Sequence, residues 1–185
     1  QCFSAYLELI SNKMWLGSAS QNILIGGDSA GGNLAAALSI KLRTEFKPLP
    51  KAQVLFYPCL SLNFNSLSYI KHENAPILDK KSMKWFWGVY LDENFQINDP
   101  LAVPMLEKNL SNLPETIICT AEIDPLDSDG IEYKNKLFEH GTSVTHFHAK
   151  ALVHGFIRFR DKSKVADKYF WLVCEKINEL LETND

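Results

Sequence analysis

Gly27-Asp28-Ser29-Ala30-Gly31-Gly32 separates the apolar run Asn22-Ile23-Leu24-Ile25-Gly26 from a helical pattern that begins at Asn33 and continues to Lys41. Strand, tight turn and helix in that order decide how the rest of the chain is read. A serine hydroxyl is a weak nucleophile at neutral pH, so it works only where a base reaches one side of it and a substrate the other. A sharp turn from strand to helix exposes it in that way. Glycine two positions before and two after Ser29, at Gly27 and Gly31, lets backbone crowd there without Cβ clashes. The spacing alone also fits a glycine-rich turn with no chemistry, so groups elsewhere in the chain must decide.

In an open α/β arrangement the partners of such a serine follow in the order Asp or Glu, then His. The run Thr116-Ile117-Ile118-Cys119-Thr120-Ala121 reads as a buried strand. It leads into Glu122-Ile123-Asp124-Pro125-Leu126, which places Asp124 just past the strand's carboxyl end. The alternating stretch Ser143 to His148 gives way to a loop holding His154-Gly155-Phe156. Functional groups in open α/β sheets collect at the carboxyl ends of strands. Ser29, Asp124 and His154 all stand at such ends.

The remaining pattern alternates. Phe3, Leu7, Ile10 and Met14 recur at helical spacing, with Gly17 as a stop. Strands are predicted over 22–27, 52–57, 115–121 and 143–148, and helices over 30–46, 81–91, 129–140 and 163–182. Lys47-Pro48-Leu49-Pro50 ends the second helix, because proline disfavours helix in the residue before it. The run Ala52 to Tyr57 reads as continuously apolar, the mark of a strand buried on both faces. From Pro58 to Pro104 the chain makes a long excursion. This alternation predicts an α/β fold, a mostly parallel sheet flanked by helices, as a single domain over 1–185.

Gly27 to Gly32 with Asn33-Leu34-Ala35-Ala36, then Tyr57-Pro58, Asp99-Pro100, Leu113-Pro114, Thr120-Ala121-Glu122, Asp124-Pro125-Leu126, Gly130 and His154-Gly155-Phe156 fall in one order along nearly the whole chain. In that order they resemble the hormone-sensitive-lipase-like branch of the α/β-hydrolases, a group of carboxylesterases and lipases. The resemblance implies the α/β-hydrolase fold. It also implies Ser29 as the acyl-accepting nucleophile, His154 as the base, and Asp124 as the carboxylate that fixes the histidine tautomer. The amide of Ala30 would donate to the oxyanion. The helix with Trp85, Phe86 and Trp87 would lie behind the site and receive part of the substrate. A small-molecule ester, short to medium in acyl length, is the implied partner, with amides left open. No metal or organic cofactor is implied.

The same family carries a His-Gly-Gly-Gly stretch well upstream of its nucleophile, and its amides complete the oxyanion hole. The 28 residues before Ser29 contain no His-Gly pair. We read the chain as the carboxyl-terminal portion of a longer protein, with upstream strands and part of the cap outside it. A domain with no upstream half is the alternative. On the first reading the run Ile23 to Ile25 becomes an exposed apolar edge that invites pairing with another chain. Loss of one oxyanion donor costs about 10² to 10³ in turnover, so impaired activity is also expected. Against the hydrolase stand a catalytically silent small-molecule-binding module on the same fold and an inactive fragment. Retention of His154 weighs against the silent module.

Composition fits an ordinary globular unit: 46% of the 185 residues are hydrophobic and 22% charged. A net charge of −3 argues against a nucleic-acid partner, which calls for a basic surplus. No apolar run approaches the ~18 to 20 residues of a membrane helix, and a cytoplasmic setting is expected, with homo-oligomerisation left open. Cys2, Cys59, Cys119 and Cys174 are scattered without paired spacing, which favours reduced thiols. His146 and His148 share a strand face, but no third metal ligand is visible and two partly exposed residues are the expected reading. His72 and His140 have no visible catalytic partner, and His140 suits a helix carboxyl terminus. Met83 to Leu91 is apolar nearly all round, hence core or pocket wall. Glu122 and Asp127 are rival carboxylates to Asp124, and Asp127 stands where the family commonly has arginine.

Overall fold

Among the described residues, four short β-branched or apolar segments pair side by side in chain order. The computed structural model describes residues 1–11, 22–91 and 97–182. Helix α1 (Cys2–Ser11) turns Tyr6 inward; Met14 and Gly17, expected to extend and stop it, lie outside the described residues. Then follow β1 (Leu24–Asp28), α2 (Ala30–Thr44), β2 (Ala52–Phe56), α3 (Leu67–Lys71) and α4 (Lys80–Leu91). After a 3₁₀ turn at Pro104–Leu106 come β3 (Glu115–Ile123), α5 (Asp127–Glu139), β4 (Val144–Val153), a 3₁₀ turn at Phe156–Phe159 and α6 (Lys164–Glu182). All three strand pairings are parallel, in the order β1-β2-β3-β4, with Leu24 opposite Ala52, Ala52 opposite Glu115 and Thr116 opposite Val144.

The helices sit where the strands' two-residue period sends apolar side chains. Val54, Ile117, Cys119 and Ala121 point to one face and pack with Ala166, Val173 and Leu180 of α6. Leu55 and Ile118, their neighbours in sequence, point the other way and pack with Ala35, Ala36 and Ile40 of α2 and Tyr133 and Leu137 of α5. Full burial of one such aliphatic side chain contributes roughly 1.5 to 3 kcal/mol. The two faces therefore hold the sheet between helices. Tyr69, Leu78, Met83, Trp87, Val103 and Leu126 form a third cluster that joins α3, α4 and the loops around them.

Three expectations are corrected. The run Ala52 to Tyr57 is interrupted by Gln53, which is completely buried yet satisfied: Ser39 Oγ donates to its Oε1 at 2.9 Å and its Nε2 donates to Thr116 Oγ1 at 2.8 Å. A buried amide of this kind is tolerated because its polar atoms are paired. Helix α4 is not buried all round. Met83 and Trp87, four residues apart and so on one stripe, face inward, while Trp85 is 63% and Phe86 50% exposed. Finally, β1 is an edge strand among the described residues, but Leu24 and Ile25 are half-buried against the two cores rather than bare. Helix α3, only five residues long, lies inside the stretch read as an excursion, too short to leave a periodic signal.

Candidate active site

Ser29 follows the last residue of β1 and opens α2, with φ 55° and ψ −116°. A left-handed φ costs a non-glycine residue on the order of 1 to 3 kcal/mol, so the turn must be held by its surroundings. The Ser29 N–H donates to Phe56 O at 2.9 Å, and Asn33 N–H donates to Ser29 O at 3.2 Å. Gly27 makes the turn possible: a Cβ there would fall 2.3 Å from the carbonyl carbon of Gly31. A Cβ on Gly32 would fall 2.8 Å from Pro58 Cβ, whereas one on Gly31 would meet nothing within 4 Å. The expectation that both flanking glycines avoid their own clashes is therefore half right. Gly27 needs to be glycine, and Gly31 supplies the backbone that Gly27 must clear.

The other two candidates also stand one residue beyond a strand. Asp124 follows Ile123 at the end of β3, and His154 follows Val153 at the end of β4, which runs five residues past the expected stop at 148. Asp124 is completely buried, its Oδ1 accepting from Leu126 N–H at 2.9 Å and its Oδ2 lying 2.7 Å from His154 Nδ1. On the far side of the ring, His154 Nε2 lies 3.0 Å from Ser29 Oγ. The carboxylate can only accept, so Nδ1 carries the ring proton and Nε2 presents a lone pair to the serine. Gly155, at φ 72°, turns the chain directly after the histidine. Tyr57 packs its buried ring 4.7 Å from the imidazole, centroid to centroid, and donates weakly to Asp28 Oδ2 at 3.4 Å. Structure thus brings Ser29, His154 and Asp124 into one hydrogen-bonded line.

A cavity of about 550 Å³ opens over this line, walled by Leu78, Met83, Phe86 and Trp87 beside Ser29 and Ala30. Of the three aromatic candidates on α4, Phe86 and Trp87 line it and Trp85 does not. The Ala30 amide belongs to the first turn of α2, where backbone N–H groups lack intrahelical acceptors and the helix end favours negative charge. Cys59 also lines the cavity, but burial pushes its thiol up to about 12, so it stays protonated and unreactive. All four cysteines are free.

The rival carboxylates are engaged elsewhere. Glu122 accepts from Ala151 N–H at 2.7 Å, a bond that holds its carboxyl below the ordinary range. Asp127 lies 3.5 Å from His148 Nε2, and burial pushes its carboxyl up. His140 caps α5 with Nδ1 2.7 Å from Lys136 O, as its position suggested. His146 and His148 stack at 6.2 Å, and no group of three or more His, Cys, Asp or Glu side chains among the described residues is arranged to hold a metal ion.

His146 is hydrogen-bonded to Thr120 Oγ1 at 3.1 Å, and burial, with smaller contributions from Lys134 and His148, lowers its pKa from 6.5 to about 4. A folded-state value below the unfolded one means that the unfolded chain takes up the proton first. Stability from the neutral ring is therefore complete above pH 6.5 and is lost as pH falls toward 4. The melting temperature of the protein should drop, relative to His146→Gln, across that interval and run parallel to it above pH 7. A difference unchanged from pH 7 to pH 4 would remove this account.

Two buried residues that the sequence reading missed tie helices α2 and α5 to neighbouring loops. Asn33 Nδ2 donates to Cys59 O at 2.9 Å and Ala102 O at 3.0 Å, tying the start of α2 to two loops. Asp129 is 1% exposed and accepts from Leu60 and Ser61 N–H at 2.8 and 2.9 Å, although burial still pushes its carboxyl well above the usual range. An acid just after Asp124-Pro125-Leu126 was the available signal, but its partners lie 68 and 69 residues away. Asp129→Ala orphans two buried amides and should cost roughly 2 to 4 kcal/mol. Asp129→Asn, which keeps an acceptor, should cost less in urea denaturation.

A family model described as alpha/beta hydrolase fold matches residues 1–158. An arylesterase of Saccharolobus solfataricus is 35% identical over 158 residues, covering 84% of this chain and 51% of its own. Carboxylesterase NlhH of Mycobacterium tuberculosis is 34% identical over 152 residues, covering 80% of this chain and 47% of its own. Among solved structures, the hyperthermophilic esterase from Pyrobaculum calidifontis superimposes with a TM-score of 0.89 at 30% identity, covering 97% of this chain and 59% of that one. The chain spans about half the length of the curated relatives it matches.

Proposed function

Because this chain belongs to the alpha/beta hydrolase fold family, in its hormone-sensitive-lipase-like branch, we propose that it carries the catalytic centre of a serine carboxylic-ester hydrolase in a single α/β unit. One observation carries the reading: His154 Nε2 stands 3.0 Å from Ser29 Oγ while its Nδ1 stands 2.7 Å from Asp124 Oδ2. As Ser29 Oγ attacks the ester carbonyl, its proton passes to Nε2, and the imidazolium that forms is stabilised by the buried Asp124 carboxylate. The Ala30 N–H donates to the developing oxyanion. Collapse expels the alcohol, which takes the proton back from Nε2. Water, giving its proton to the same nitrogen, then attacks the acyl-serine and releases the acid.

The cycle draws on no metal or organic cofactor. The apolar wall formed by Phe86 and Trp87 suits short to medium acyl or aryl groups, and the names of two relatives, arylesterase and carboxylesterase, support an ester as the substrate class. No described helix is long and apolar enough to cross a membrane. The test is release of aryl alcohol from a short-chain aryl acetate or butyrate. An initial burst followed by steady turnover is expected, with both phases absent in Ser29→Ala. Equal rates for the protein and Ser29→Ala would refute the proposal and favour a binding module on the same fold.

A further inference from the structure

Among the described residues, two acidic or basic side chains line the cavity that holds Ser29 and His154, and they belong to one pair: Asp28 at the end of β1 and Arg158 in the 3₁₀ turn after His154. Arg158 Nη2 lies 3.6 Å from Asp28 Oδ2, too far for a hydrogen bond, and the two side chains are 73% and 37% exposed. A contact of that length and exposure is weak. It leaves the planar five-donor guanidinium without a committed hydrogen-bond acceptor among the described residues, at the wall of an otherwise mostly apolar cavity. Asp28 is more engaged, since Tyr57 also donates to it. A guanidinium fork with free donors matches a carboxylate in geometry and charge.

We propose that Arg158 makes this site select esters that carry a second, ionised carboxylate, such as monoesters of dicarboxylic acids. The proposal rests on the hydrolase reading for the identity of the ligand as a substrate. In it, Arg158 is a specificity residue that touches the ligand, and Asp28 is a competing anion that limits the gain. The two members of the pair therefore act in opposite directions.

The matched probes are monoethyl succinate and ethyl succinamate, equal in shape and different in charge. Both are titrated against the full chain carrying Ser29→Ala, with binding followed by chemical-shift changes, so that no turnover is needed. The charged ester should bind about tenfold more tightly at low salt, a gap that shrinks at high salt. Arg158→Gln should close the gap, and Asp28→Asn should widen it several-fold. A merely structural pair would give the same change on breaking from either side. Equal affinity for the two esters, binding of neither, or a preference that survives Arg158→Gln would overturn the proposal. Failure of the hydrolase reading shows separately, as a burst assay indifferent to Ser29→Ala beside an intact charge preference.

Discussion

Asp124→Asn should lower the proposed ester turnover by about 10⁴, the loss that a reversed histidine tautomer produces in a serine protease built on a Ser-His-Asp triad. The reason lies in how the two carboxylate oxygens are shared. Oδ1 accepts from Leu126 N–H at 2.9 Å and Oδ2 from His154 Nδ1 at 2.7 Å. Asparagine has a single side-chain oxygen. If that oxygen stays with Leu126, the amide nitrogen faces Nδ1, which must then become an acceptor. The ring proton moves to Nε2, and Ser29 loses its base. The fold should survive, since the side chain keeps its size and one of its two bonds. Nitrogen NMR of the histidine ring should show protonation at Nδ1 in the protein and at Nε2 in the variant, alongside the kinetic loss. A variant that retains more than a tenth of the turnover would show that Asp124 does not orient the ring.

The second large effect is on folding. Gly27→Ala puts a methyl carbon 2.3 Å from the backbone of Gly31, where no rotamer change relieves it. The strand end and the first turn of α2 would have to separate, dragging Ser29 out of line. A loss of about 3 kcal/mol or more, enough to unfold a marginally stable domain, is expected. Gly31→Ala meets nothing within 4 Å and replaces a helix glycine, so it should fall between neutral and about 1 kcal/mol more stable. The pair is informative because the pattern G-x-S-x-G treats both glycines alike. Melting curves that rank the two substitutions equally would contradict the crowding described here.

Much of this was legible in the chain itself. The strands carry β-branched and apolar residues in runs bounded by glycine and proline, so their number and parallel pairing followed from alternation with amphipathic helices. The three aligned candidates were legible because a strand end is a local signal, and each lies one residue beyond one. What stayed hidden depends on distance in sequence. The Tyr57 contact with His154, the Asp129 bonds to Leu60 and Ser61, and the Arg158 pairing with Asp28 join segments whose composition says nothing about their neighbours. The burial of α4 was misjudged for a related reason. Its aromatic residues run around the helix, but only the stripe of Met83 and Trp87 meets the third core cluster. Gln53 was overlooked because a single polar residue in an apolar run is satisfied by partners, Ser39 and Thr116, that lie on other elements.

The relay itself can be read in one experiment. The full chain is treated with a fluorophosphonate, which reacts with a serine only when a base removes its proton, and intact mass with peptide mapping then locates the adduct. One adduct per chain, on Ser29, formed at a rate that falls at least 10³-fold in His154→Ala, is the expected result. A well-folded chain that takes up no label, or labels equally fast without the imidazole, would contradict the claim that Ser29, His154 and Asp124 act as one unit.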